Sequence, residues 1–404
     1  MKIIEGGVCA AKGFKANGIH CGIRHNKVKK DLALIVSEVP ASAAAVYTQN
    51  LVKGAPITVT KNNLKDGIAQ AVICNSGNAN TCNVNGIEIA EKMCALVEQY
   101  AGVKATDVIV GSTGVIGQPL SIDPIANNMQ ELVDGLEYNN SDAAAAAIMT
   151  TDVALKQATV SFEIGGKECK MGGIAKGSGM INPNMATMLI YITSDVAISP
   201  ALLQQALSED VKDSFNMISV DGDTSTNDML SIMCNGLAGN KCIETAGEDY
   251  EEFKKALAYV TKSLSRMIAA DGEGASKLLE CNVSGAKEKQ VARVVAKSVI
   301  SSSLLKAAMF GADANWGRVL CAIGYSGADV DINKISVAFA SSKGEIKVCE
   351  NGSGVPFSEE VAKEILLEKE IKINVGLNAG NETATAWGCD LTYDYVKING
   401  DYRS

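Results

Sequence analysis

Leu32, Leu34 and Val36 alternate with Ala33, Ile35 and Ser37, the period of two expected of a β-strand. Val72-Ile73-Cys74 and Val108-Ile109-Val110 are short apolar runs, each stopped by a Gly/Asn/Ser loop, and they predict two more strands. Between them Ile89, Met93, Leu96 and Val97 share one face of a helix. Val160, Phe162 and Ile164 alternate as far as Gly165-Gly166, a two-residue hairpin signal, and the return arm runs through Cys169 and Met171. Ser199 and Pro200 form a capping residue and first helical position, with Leu203, Leu207, Val211 and Phe215 on one face beyond them. A longer helix carries Phe253, Leu257, Val260, Leu264 and Met267 and stops at Asp271-Gly272-Glu273-Gly274. Ile371, Ile373, Val375 and Leu377 alternate again, and Trp387 to Asn399 reads as strand. Strands and helices interleaved with Gly-rich turns predict a layered α/β (α+β) fold. No repeat and no Pro- or Ser-rich linker is visible, so any domain boundary is tight.

Composition narrows this picture. Of 404 residues, 47% are hydrophobic and 21% charged, which excludes bulk disorder. No run approaches the ~18 apolar residues of a membrane span. Only 5% are aromatic and 38 are Gly, so the core must be built from small and branched aliphatic side chains. The net charge of −9 argues against nucleic acid and anionic lipid as partners. The opening Met1-Lys2-Ile3-Ile4-Glu5-Gly6-Gly7 has no apolar core of a secretory signal, and a cytoplasmic location is expected. Twelve cysteines lie eight or more positions apart, which reads as buried reduced thiols. His20 and His25 are the only histidines, so neither a zinc site nor a Ser-His-Asp enzyme is expected, and no metal is assigned.

Five stretches are richer in Gly, Asn, Asp, Ser and Thr than a connection needs: 75–80, 111–117, 176–187, 221–228 and 270–275. Familiar motifs fail at each. Gly172 to Gly177 has phosphate-loop spacing, but Ser178 stands where Lys is required. The loop from Gly111 lacks a dinucleotide-binding opening. Asp221/Asp223/Ser225 starts like a calcium loop, yet Thr226 and Ile232 occupy the positions of its Gly and Glu. Thr187 is different, because it follows an irregular Gly/Asn/Pro segment and opens the apolar run Met188-Leu189-Ile190-Tyr191-Ile192. A break between Ala186 and Thr187 would give Thr187 a free α-amine with a pKa near 7.7–8.0. That amine could serve as base for its own hydroxyl, with no histidine involved. From the residues alone an ordinary threonine at the start of a strand remains the alternative.

Lys176-Gly-Ser-Gly-Met-Ile-Asn-Pro-Asn-Met-Ala-Thr187 resembles the ornithine acetyltransferase family, also called glutamate N-acetyltransferase. The resemblance continues through Asn75–Asn80, Ser112–Gly117, Asp221–Asp228, Asp271–Ala275, Phe310–Arg318 and Leu391–Ser404, covering nearly the whole chain. It implies a precursor that cleaves itself between Ala186 and Thr187 into an α chain (1–186) and a β chain (187–404), on a self-processing N-terminal-threonine architecture. It implies Thr187 as nucleophile, moving an acetyl group from N2-acetylornithine to glutamate through an acetyl-threonine ester. It places the oxyanion hole at Thr113 and Gly114, and substrate contacts at Thr151, Lys176, Thr187, Glu273, Asn399 and Ser404. Lys176 suits a carboxylate, or could tune the Thr187 amine; Glu273 suits an ornithine ammonium, and the others supply neutral hydrogen bonds.

An α2β2 heterotetramer and no cofactor are also implied, with acetyl-CoA open as a second donor that would make the enzyme bifunctional. Two departures are visible: Ser404 stands for a usual Thr, and Ala314 for a usual Pro. The 75–80 and 221–228 stretches read as supporting loops, and Trp316 and Arg318 as packing and an internal ion pair. The alternatives are a self-processing amidase or aminopeptidase with water as acceptor, and an uncleaved metabolite-binding protein.

Overall fold

The computed structural model describes residues 1–24, 28–182 and 188–400. Strands β1 (Lys2–Ile3), β2 (Phe14–Ile19), β3 (Leu32–Tyr47), β4 (Ile68–Asn75), β5 (Val108–Ser112), β6 (Lys156–Ile164), β7 (Lys167–Lys176) and β8 (Leu189–Ser194) build one sheet. The short β9 (Ile218–Ser219) belongs elsewhere, and β10 (Met229–Cys234) returns to complete the first sheet at nine strands. The order is β1-β6-β7-β8-β10-β3-β4-β5, with β2 paired to β3. The second sheet takes β9 with β11 (Leu278–Ala286), β12 (Ser336–Ser341), β13 (Gly344–Glu350), β14 (Ser353–Gly354), β15 (Glu370–Gly376) and β16 (Glu382–Cys389).

Helices fill the layers around the sheets. In the first half, α1 (Ala55–Asn63), α2 (Gly86–Ala101) and α3 (Asp123–Asp134) cover the β3–β5 end, and α4 (Ser141–Ile148) packs on β2 and β3. In the second half, α5 (Pro200–Asp210) packs on β3, and α6 (Glu248–Ala270) touches β6 and β7 on one side and β16 and β11 on the other. The second sheet is backed by α7 (Lys289–Ser301), with α8 (Ser303–Phe310), α9 (Trp316–Gly324) and α10 (Glu359–Leu366) around it. Alternation sends side chains of one strand into two cores. From β8, Ile190 and Ile192 join the core that α6 shares with the second sheet, and Leu189 and Tyr191 join the core beneath α4. The layered α/β architecture expected from the sequence is the one observed.

Local chemistry explains the elements. Gly165 and Gly166 sit at φ +55° and +75°, so the β6–β7 hairpin turns on two residues as expected. The Ser199 side chain accepts the Leu202 N–H at the start of α5. Three expectations need correction. The α5 helix ends at Asp210, and Val211 and Phe215 stay buried on 3₁₀ turns beyond it. On α6 Met267 lies off the buried face and is exposed. The strand read from Trp387 to Asn399 ends at Cys389, and Tyr393–Asn399 form a helix, α11. Cys389 pairs with Leu278, where β11 begins, so the ladder has no partner further on. Asp390 accepts the N–H groups of Ser276 and Lys277 and turns the chain there.

All twelve cysteines are free, nine of them buried, as expected of reduced thiols. Trp316 packs its indole over Gly354, but Arg318 donates to the Leu304 carbonyl at 2.6 Å. The internal ion pair expected for Arg318 is not formed among the described residues.

Candidate functional site

Strands β4 and β5 run parallel, with Asn75 opposite Ser112, so their C-terminal loops leave the sheet side by side. Asn75 holds both loops: its amide donates to Ser112 Oγ at 2.7 Å, and its Oδ1 accepts the N–H groups of Gly77 and Asn78. The Thr113 N–H donates to the Asn75 carbonyl. Gly114 follows at φ +128°, and a Cβ there would lie 2.7 Å from the Gly77 carbonyl carbon and 2.8 Å from the Asn78 nitrogen. A glycine is required on both counts. Among the described residues the Gly114 N–H donates to nothing.

Lys176 ends β7, opposite Leu189 at the start of β8, and its Nζ lies 3.5 Å from Thr113 Oγ1. Its ammonium is buried, and burial lowers its pKa while the carboxylates of Asp152 and Asp228 oppose the shift. Asp152 is the organiser here. Its Oδ1 accepts the Gly177 N–H at 2.7 Å and Lys156 Nζ at 2.6 Å, and its Oδ2 accepts the Thr150 N–H at 2.9 Å. Burial alone would raise Asp152, yet the ammonium groups of Lys176 and Lys156 outweigh it and hold the carboxyl well below its ordinary range. Lys156 also pairs with Asp271 at 2.5 Å, tying the network to the end of α6. Two residues on, Glu273 is buried; its N–H donates to the Ser178 carbonyl, and its Oε2 accepts from Asn399 Nδ2 at 2.7 Å.

The loop 221–228 closes the site from the second half. Asp221 accepts the N–H groups of Met180 and Ile181, which fixes the stretch after Lys176. Asn227 donates to the Ser112 carbonyl at 3.0 Å and accepts from Thr81 at 2.5 Å. Asp228 is buried, and its Oδ2 has no hydrogen-bond partner among the described residues. Burial raises its pKa well above the ordinary carboxylate range, against the pull of Lys176.

These elements enclose a cavity of about 120 Å³ lined by Thr113, Gly114, Thr151, Lys176, Glu273 and Asn399, together with Ser225, Thr226 and Asn227. Six site residues expected from the sequence therefore meet in one place, though they span positions 113 to 399. Ala186, Thr187 and Ser404 lie outside the described residues. Sequence reasoning missed Asp152, which carried no signal beyond its spacing of four from Lys156. It placed Asp228, Thr226 and Asn227 in a supporting loop, whereas two of these line the cavity. Among the described residues no cluster of metal-ligating side chains is found. The cavity thus offers a buried cation beside a hydroxyl, an unspent backbone N–H next to that hydroxyl, and a carboxylate on another wall.

The ArgJ family model matches residues 15–404. The chain is 50% identical over 405 residues to the arginine biosynthesis bifunctional protein ArgJ of Caldanaerobacter subterraneus subsp. tengcongensis, covering 100% of both chains. It is 46% identical to the protein of the same description from Bacillus anthracis, covering 100% of this chain and 98% of that one. A crystal structure of the arginine biosynthesis bifunctional protein argJ from Bacillus halodurans is 47% identical with a TM-score of 0.50, covering 52% of this chain and 98% of that chain.

Proposed function

The chain belongs to the ArgJ family, and from that premise we propose how its cavity carries out the acetyl transfer. The protein is an N-acetyltransferase of arginine biosynthesis, acting on small molecules and moving an acetyl group from N2-acetylornithine to glutamate. Cleavage between Ala186 and Thr187 frees the Thr187 amine, which takes the proton of its own hydroxyl as the oxygen attacks the acetyl carbonyl. The oxyanion that forms is met by the Thr113 hydroxyl and the Gly114 N–H. Collapse forms the acetyl-threonine ester and releases ornithine, its amine taking the proton. Glutamate then enters the same cavity, its amine attacks the ester, and N-acetylglutamate leaves with Thr187 restored.

Lys176 pairs with the substrate α-carboxylate, and Glu273, held by Asn399, faces the side-chain ammonium of ornithine. Thr151 and Ser404 supply neutral hydrogen bonds. The reading calls for no cofactor. Relatives described as bifunctional support acetyl-CoA as a second donor. An α2β2 assembly and a cytoplasmic location belong to the same proposal; among the described residues no helix is long and apolar enough to cross a membrane.

The observation that carries the reading is the convergence of Thr113, Gly114, Thr151, Lys176, Glu273 and Asn399 on one cavity. The proposed cut is supported by the Bacillus halodurans chain, matched over 98% of its length by 52% of this one. Intact mass under denaturing conditions tests it. Two fragments meeting at Ala186/Thr187 and summing to 42.2 kDa plus one water are expected, and a single chain from Thr187→Ala. Acetyl transfer from acetylornithine to glutamate, with and without acetyl-CoA, follows. An uncleaved wild-type chain, or steady acetate release that ignores glutamate, would overturn the assignment.

A further inference from the structure

A second, larger cleft adjoins the cavity. Gly179, Met180, Ser225 and Thr226 line the cavity, while their near neighbours Asn182 and Thr224 line this cleft. The two stretches are joined by the Ile181–Thr224 bridge, and Thr224 Oγ1 donates to the Asn182 carbonyl at 2.9 Å. Cleft and cavity therefore share a wall. The cleft measures about 580 Å³. That is within the range of roughly 300–1,000 Å³ usual for sites that take larger small molecules, whereas 120 Å³ suits only a small acyl amino acid.

Its chemistry is opposite to that of the whole molecule. Lys212, Arg293 and Lys297 line it, and among the described residues no carboxylate does, in a chain of net charge −9. Asp213 binds Arg293 Nε and Nη2 at 2.8 Å each, while Lys212 forms no ion pair among the described residues. Burial pulls Lys297 down to about 7, and a neighbouring anion would help it keep its proton. Two buried polar atoms of the lining have no hydrogen-bond partner among the described residues, Ser301 Oγ and Asn182 Oδ1. Leaving such atoms buried and unpaired is unfavourable, so a ligand that satisfies them is favoured. Ser301 can donate. Asn182 Oδ1, an amide oxygen, can only accept, and its Nδ2 is already given to the Gly222 carbonyl at 3.0 Å.

We propose that this cleft binds a phosphorylated ligand, its anionic end against Lys212 and Arg293 and an N–H or O–H of its neutral part on Asn182. Two sources share that chemistry. One is the phosphate-bearing end of coenzyme A, whose amide-containing arm would run past Asn182 toward the cavity; this source rests on the transfer reading above. The other is a free phosphorylated metabolite that regulates the enzyme from beside its site.

Calorimetric titration of the purified enzyme with coenzyme A and with pyrophosphate tests the proposal independently of turnover. Binding should weaken as salt rises, and Lys212→Glu, at an exposed side chain, should weaken it at least tenfold; Ser301→Ala should weaken it too. Coenzyme A binding that pyrophosphate competes away, with KM for acetyl-CoA raised by Lys212→Glu and KM for acetylornithine unchanged, identifies the carrier. Lys212-dependent binding of pyrophosphate without coenzyme A identifies the free metabolite. If neither probe binds, or both bind Lys212→Glu and Ser301→Ala as tightly as the wild type, the proposal is wrong, whether or not the enzyme transfers acetyl groups.

Discussion

Gly114 shows how much one side chain can decide. A methyl group there would press on the Gly77–Asn78 backbone, so Gly114→Ala must shift the turn proposed to carry the oxyanion donors. We expect kcat to fall about 10²–10³-fold, the usual cost of losing one such donor, in steady-state assays of acetylornithine-to-glutamate transfer. Asp152 acts on stability instead. Asp152→Asn leaves Lys156 buried with Asp271 as its remaining counter-charge, and breaking such a pair costs about 3–5 kcal/mol. The native carboxyl is held below its unfolded value of about 3.9, so its contribution is complete above that pH and is lost as the pH falls below it. Urea unfolding should therefore show a constant gap between wild type and variant from about pH 5 to 8, shrinking below pH 4. Thr113, Gly114, Lys176 and Glu273 were legible in the sequence because they sit in a recognisable string. Asp152 and Asp228 were not, because a carboxylate on a short loop looks solvated until the fold buries it.

Among the elements, α11 separates function from stability most cleanly. It buries none of its residues, and its Tyr393 meets Phe310 edge-on, yet it delivers Asn399 to Glu273. Removing residues 393–404 should leave the midpoint of thermal unfolding within a few degrees while raising KM for acetylornithine about tenfold, roughly 1.4 kcal/mol. A large drop in the unfolding midpoint would mean that α11 is part of the core. The sequence misread this segment because Tyr393, Tyr395 and Val396 have strand-like character, and local propensity cannot see that β11 supplies no partner past Leu278. The β6–β7 hairpin and the cap of α5 were legible, since two glycines and a Ser-Pro pair act locally. Sheet order was not, because it depends on contacts between distant residues.

At the scale of the whole molecule, the proposed cut falls between β7 and β8, which are neighbours in the first sheet. The second half supplies β8 and β10, and these lie between β7 and β3 of the first half. The fragments are thus held by backbone ladders on both sides and by the α6 core. We expect them to elute together in native size exclusion and to separate only in denaturant. Separation in buffer would contradict this arrangement.

The same interleaving bears on how the enzyme could be made. Synthesised apart, the first half would carry two open strand edges facing a gap two strands wide, and the second half would carry the orphaned pair that fills it. Such edges invite pairing with the wrong molecule. A single polypeptide that is cut only after folding guarantees equal stoichiometry and brings the four edges together at the high local concentration of one chain. On this view the peptide bond at Ala186 is a temporary tether for assembly as well as the source of the catalytic amine, and two separately expressed halves should yield mostly aggregate.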